Sequence, residues 1–287
     1  MRGSGTRESV LAGSWYAASK EELTGQIEAL FKGRLGPGRI PELGRYDESL
    51  VGVISPHAGY VYSGQAAAHA YSEVSLHGPR DVVVLLGPNH HGTGSSISAS
   101  TSKKWQTPLG EVDVDLDLAK EIATSSGLVD FDETAHRSEH SLEIQLPFLQ
   151  YVFRDHPFKV VPISLWMSDL STARELGSSI ANALSGRRAL VVTSTDMTHY
   201  MPADIASKRD RRTLDLILKL DEEGTWTTAN ELESLCGLGP VLSCMVASKA
   251  LGATEGRLLS YYNSGDVTGD NSAVVGYAAV AFKRTPS

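Results

Sequence analysis

Apolar positions along this chain follow two alternating rhythms. Short runs of aliphatic and β-branched residues end abruptly at Pro, Gly or Asp, while longer stretches repeat their apolar residues every three or four positions. The runs at 50–54, 81–86, 158–165 and 188–195 are too uniformly apolar for one face to meet water, and they read as strands buried on both sides of a sheet. Helices are predicted between them over 20–32, 63–76, 115–126, 170–184 and 203–220, with a broken helical stretch over 227–250. In the first helix Leu23, Ile27, Leu30 and Phe31 share a face, and Ser19 with Glu22 forms a capping box. Ser63 is the expected cap of the second. Short strands at 97–101 and 111–114 suggest a hairpin around Trp105 that walls a pocket, and Pro147 should kink or restart a helix. Strands at 257–263 and 272–282 close the chain around a Gly/Asp/Ser loop. This alternation predicts an α/β fold: one domain over 1–287, with a central, mostly parallel or mixed sheet flanked by helices.

The chemistry gathers where the strands stop. The first core strand runs into Pro56, which cannot continue a ladder, and presents His57 before Gly59. The second runs into Gly87-Pro88-Asn89-His90-His91, and the run ending at Ser194 leads to Asp196 and His199. In open α/β sheets ligands bind outside the carboxyl ends of the strands, so three histidine-bearing strand ends point to one site. His140 and Cys236 join the candidates, with Glu143 and Asp196 as acidic neighbours. Imidazole and thiolate together suit zinc, iron or copper, although neither CxxC nor HExxH spacing occurs. His90 and His91 point in different directions, so one can ligate while the other packs, and sequence leaves the choice open. On a helical turn Asp196 would lie beside His199 and orient it, or else cap a helix start; His140 and Glu143 share that spacing. Cys236 sits at a Gly-rich break, whereas Cys244 lies inside an apolar run and behaves as a small hydrophobe.

Charge and composition narrow the function classes. A net charge of −8 argues against a nucleic-acid surface and against a polybasic membrane patch. No window of 18 apolar residues occurs, and the first residues lack the apolar core of a secretory signal. Two cysteines make no disulfide scaffold, so a reducing, cytoplasmic setting is the expectation.

Taken together and in order, the motifs resemble the Memo family: Ala12-Gly13-Ser14-Trp15-Tyr16, Ser55-Pro56-His57-Ala58-Gly59-Tyr60, Leu86-Gly87-Pro88-Asn89-His90-His91, Thr107-Pro108-Leu109-Gly110, Glu139-His140-Ser141-Leu142-Glu143, Ser194-Thr195-Asp196-Met197-Thr198-His199, Cys236-Gly237 and Asn263-Ser264-Gly265-Asp266. The resemblance implies the fold of class III extradiol ring-cleaving dioxygenases. Carried onto this chain, it implies metal ligands at His57, His91 and Cys236, with His140, His199 and Asp196 lining the same pocket as acid/base groups. Ferrous iron is the implied metal, with copper or zinc as alternatives, and Cys236 stands where the dioxygenases use a glutamate. Three functions fit: a metal-dependent redox protein or oxygenase, a module that binds a peptide or partner protein in the same pocket, and a zinc-assisted hydrolase. The expected ligand is a small molecule or a peptide.

Overall fold

A computed structural model describes residues 4–166 and 169–284, and among these twelve strands form one sheet. In chain order they are β1 (Ser4–Arg7), β2 (Leu50–Ser55), β3 (Val82–Pro88), β4 (Ile97–Ala99), β5 (Ser102–Thr107), β6 (Gly110–Val114), β7 (Asp130–Phe131), β8 (Lys159–Leu165), β9 (Ala189–Ser194), β10 (His199–Met201), β11 (Glu255–Asn263) and β12 (Val274–Lys283). The helices are α1 (Lys20–Lys32), α2 (Tyr60–Leu76), α3 (Leu116–Ser126), α4 (Leu146–Phe153), α5 (Leu170–Leu184), α6 (Ala203–Leu218), α7 (Glu222–Leu232), α8 (Leu238–Ala250) and the single turn α9 (Gly265–Thr268).

The fold is α/β with a mixed sheet between helical layers. Strands β6, β8, β3, β9 and β2 run parallel in that spatial order, β12 pairs antiparallel with β2, and β11 pairs antiparallel with β12. Core strands β2 and β3 are buried at every position, as their unbroken apolar runs require. Strand residues such as Val84, Val161 and Val191 pack on α3, α5 and α8 on one face. Their neighbours Val83, Val160 and Val192 pack on α1, α2 and α4 on the other, the two-residue alternation of a strand buried from both sides. Ser19 caps α1 as expected: the Glu22 amide donates to Ser19 Oγ, and that hydroxyl, rather than the backbone amide of a full capping box, donates to Glu22 Oε2.

Two local expectations need correcting, a third is resolved and one strand was not anticipated. Helix α2 begins at Tyr60, capped by Gly59, so Ser63 lies inside it and donates its hydroxyl to Ala58 O. The hairpin is β5–β6, with Trp105 inside β5, and it walls a separate cavity of about 670 Å³ with Gln150 and Arg154. Pro147 restarts rather than kinks: it occupies the first turn of α4, where its missing amide costs nothing. Strand β1, too short and polar to announce itself, pairs parallel with β5.

Candidate functional site

Because the order β3-β9-β2 sets these strands side by side, their carboxyl ends open onto one patch. From β2 the chain turns at Pro56 and buries His57; from β9 it continues to Asp196; from β3 it reaches His90. The break before α8 brings in Cys236, 179 residues from His57 in sequence. His57 Nε2 lies 3.2 Å from Cys236 Sγ, and His57, His90 and Cys236 each offer a donor atom within 4.8 Å of the others. His90, Glu139 and His140 form a second such cluster that shares His90.

Each donor is held from behind. His57 Nδ1 sits 2.7 Å from Ser194 Oγ, which also accepts from Gln145 Nε2 at 3.1 Å. His90 Nδ1 is 2.9 Å from Glu139 Oε1, and its backbone amide donates to Glu139 Oε2 at 2.6 Å. A carboxylate on Nδ1 fixes the proton there and leaves Nε2 as the free donor. The Asp196 amide donates to Cys236 Sγ at 3.2 Å, and the Asp196 carboxylate accepts from the His57 amide at 2.8 Å. His140 stacks on His90 at 4.3 Å between ring centroids and meets Trp15 at 4.5 Å.

Burial governs the protonation of these groups. It lowers His57 well below the ordinary imidazole value, helped by the fields of His90, His140 and His199. Burial lowers His140 to about 4 against the opposing charge of Glu139, and it lowers His199 although the Met197 carbonyl works the other way. It raises Asp196 to about 7, opposed by the His57 and Ala58 amides. Burial and the Asp196 charge push the Cys236 thiol up to about 12. For Glu139 burial is the largest influence and acts upward, yet the His90 hydrogen bond and charge and the Ser141 amide outweigh it and hold the carboxyl at about 2.

Of the residues singled out from sequence, the structure gathers His57, Asp196, His140, His199 and Cys236 around one cavity or in direct contact with its lining. His91 is not among them. It is exposed, with Nε2 3.0 Å from the Ser138 carbonyl, and it is His90 that joins the cluster. Asp196 does not orient His199: the residues between them form no helical turn, and His199 Nδ1 instead donates to Met197 O at 2.7 Å as β10 begins. Glu143 faces away from the cavity. Its carboxylate is fully buried and accepts from Arg7, Ser9 Oγ, the Val10 and Leu11 amides and Tyr16 OH. That clasp ties down residues 7–16, and the Tyr60 amide donates to Trp15 O, fixing Trp15 at the cavity wall. Sequence reasoning passed over Glu139 and Tyr200; the signal available for Glu139 was an acidic residue directly preceding His140.

The cavity measures about 750 Å³. Its donor set of two imidazoles and a sulfur, converging within 4.8 Å and backed by a carboxylate and an amide, fits one transition-metal ion. No helix among the described residues is long and apolar enough to cross a membrane.

Comparison with known proteins places these features in a family. Residues 7–281 match the family model described as Memo-like protein. A MEMO1 family protein of Methanopyrus kandleri is 47% identical over 281 residues, covering 97% of this chain and 99% of that protein. A MEMO1 family protein of Methanothermobacter thermautotrophicus is 47% identical over 275 residues, covering 95% and 98%. Among solved structures, an uncharacterized protein of Escherichia coli K12 aligns with a TM-score of 0.56 at 12% identity, covering 81% of this chain and 99% of that one, which is a likeness of fold.

Proposed function

The chain belongs to the Memo-like protein family, and from that premise we propose that it is a metal-dependent redox protein whose ion is held by His57, His90 and Cys236. The observation that carries this reading is the convergence of those three donors, from three separated segments, within 4.8 Å at the carboxyl edge of the sheet. Ferrous iron is the first choice, since two histidines with one anionic ligand leave positions open; the sulfur keeps copper and zinc in play. A redox-active ion bound there supplies Lewis acidity and electron transfer to a ligand in the cavity. The pocket is then dioxygenase-like in kind, as the class III extradiol enzymes are.

The protein's own groups divide the remaining work. His199 donates Nδ1–H to Met197 O, so its Nε2 is a proton acceptor at the cavity wall. His140, neutral, stacked on His90 and tilted against Trp15, is a second acid/base group. Asp196 is a positioning residue: its carboxylate fixes the His57 backbone and its amide fixes the sulfur. Glu139 positions His90. A wide mouth with exposed Val61, Tyr62 and Tyr200 favours, as a second reading, a module that binds a peptide in the same cavity.

The test is anaerobic purification, elemental analysis and ferrous-iron titration of the wild type beside Cys236→Ala. Near-stoichiometric iron in the wild type, lost in a variant with an unchanged circular dichroism spectrum, is the expected result. No bound metal and no affinity for iron or copper in either protein removes the redox reading and leaves the binding module.

A further inference from the structure

At the amino ends of the strands, the edge of the sheet opposite the histidines, the balance of charge reverses. The chain as a whole carries −8, with 34 acidic side chains against 26 basic ones. Here a cavity of about 380 Å³ opens beside Leu50 at the start of β2 and Ala189 at the start of β9. Arg187, Arg188 and Arg284 line it, and among the described residues Glu48 is the one carboxylate on its wall. The length of β2 from Leu50 to Ser55, roughly 17 Å, separates this cavity from the cluster at the carboxyl edge.

A buried cation stands behind that wall. Arg80 is 2% exposed and donates to the carbonyls of His77, Gly78, Asp47 and Leu50, and no carboxylate among the described residues lies within ion-pair distance of it. Burial pulls its pKa down against the favourable fields of Tyr46 and Asp47. The Tyr46 ring, on the cavity wall, holds the Arg80 guanidinium 4.8 Å from its centroid and that of Arg188 at 4.6 Å.

The acids that answer the other arginines sit out in solvent. Asp81 approaches Arg188 only to 4.0 Å, and Glu48 and Glu121, which meet Arg284 and Arg187, are about half exposed or more. Pairs of that kind contribute little and are readily displaced. Arg187 and Arg284 each spend Nε on a helix C-terminus, donating to Ala183 O and Leu251 O. Arg188 Nη1 and Arg284 Nη2 are left without an acceptor among the described residues.

We propose that this cavity binds a phosphate group, free or carried on a small metabolite, between Arg188 and Arg284. A phosphate concentrates about two charges and three acceptor oxygens on one centre, so it engages two guanidinium forks at once. It also supplies the counter-charge that Arg80 lacks within the chain. The cavity volume is that of a small-molecule site. This is a separate site, and it depends neither on a metal nor on the histidine-lined cavity.

The test is calorimetry and thermal unfolding of the metal-free full chain near neutral pH, at constant ionic strength, with pyrophosphate, ribose 5-phosphate and malonate as probes. Pyrophosphate should bind and raise the melting temperature, and malonate, whose charge is split over two carboxylates, should bind roughly tenfold or more weakly. Arg188→Gln and Arg284→Gln should each weaken pyrophosphate by roughly tenfold or more. Arg174→Gln removes an exposed arginine of α5 that pairs with Glu222 and Glu223 outside the cavity, and it should keep the affinity. Comparable binding of ribose 5-phosphate assigns the site to phosphate esters, and binding of pyrophosphate alone assigns it to the free anion; both uphold the proposal. No pyrophosphate binding, malonate bound as tightly, or an equal loss of affinity in Arg174→Gln would each overturn it. So would arginine variants that melt lower in ligand-free buffer yet bind pyrophosphate unchanged, which would leave these side chains as helix caps only.

Discussion

Replacing Arg7 with Met would test how the cavity wall is anchored. The guanidinium is buried and has three distinct partners: Glu143 Oε2 at 2.6 Å, the His136 carbonyl at 2.7 Å and the Glu139 carbonyl at 2.9 Å. It also covers the Trp105 ring at 4.2 Å from the centroid. Removing one member of a buried ion pair costs about 3–5 kcal/mol, mainly because the other charge is left behind. Here Glu143 keeps its neutral donors, Ser9, Tyr16 and two backbone amides, which brings the charge penalty to about 2–3 kcal/mol. Two carbonyls lose a donor at about 1 kcal/mol each, while the Met side chain recovers part of the contact with Trp105. The net expectation is about 3–4 kcal/mol. For a chain of 287 residues the unfolding entropy is roughly 0.6 kcal/mol/K, so the melting temperature should fall by about 5–7 °C. Urea denaturation followed by circular dichroism, with and without added salt, is the assay. Because both charges are buried, the deficit should persist at high salt. A loss below about 1 kcal/mol, or one that vanishes in salt, would refute the reasoning by showing that the pair behaves as a surface contact.

Two further outcomes follow from other buried groups. Burial lowers His136 to about 4 from an ordinary 6.5, partly opposed by the charge of Glu133, so the unfolded chain takes up its proton first as pH falls. Stability associated with His136 is therefore complete above about 6.5 and declines toward about 4, reaching roughly 2 kcal/mol of loss by pH 5. His136→Gln should flatten the pH dependence of the denaturation midpoint by that amount, and parallel curves for the two proteins would contradict the assignment. Glu139→Gln leaves the fold standing but gives up the carboxylate that holds His90, and metal affinity should fall by roughly 10–100-fold in a competition titration; an unchanged affinity would mean that His90 needs no such support.

The strands were legible from sequence because the core runs are mainly apolar and are punctuated by Pro, Gly or Asp. The β2 run stops before Pro56, and β9 stops before Asp196. That punctuation also located the site, since a histidine or aspartate follows within two residues of the ends of β2, β3 and β9. What stayed hidden depends on partners far away in the chain. The choice of His90 over its neighbour is made by Glu139, 49 residues further on. The importance of Arg7 is set by Glu143, 136 residues away. The expectation that Asp196 orients His199 assumed a helical turn where pairing of β10 with β12 extends the chain instead. Fold class and the general position of the site are local information carried by periodicity. Which imidazole nitrogen faces the cluster depends on the tertiary fold.

The placement of β2 has a consequence for how this protein is made. Its two sheet neighbours are β9 and β12, both of which follow it in the chain, the second by more than 200 residues. On the ribosome, the apolar segment LVGVIS therefore emerges long before either strand that will pair with it. At ordinary elongation rates the interval before β12 appears is about 10–45 s. During that time the nascent chain carries an unpaired, fully apolar strand bearing the residues that lead to His57, and a cluster that also needs Cys236 cannot yet exist. An ion of the kind proposed would meet an incomplete set of donors until Cys236 has been made. What this order exposes during synthesis is an unpaired strand edge, the feature that invites aggregation.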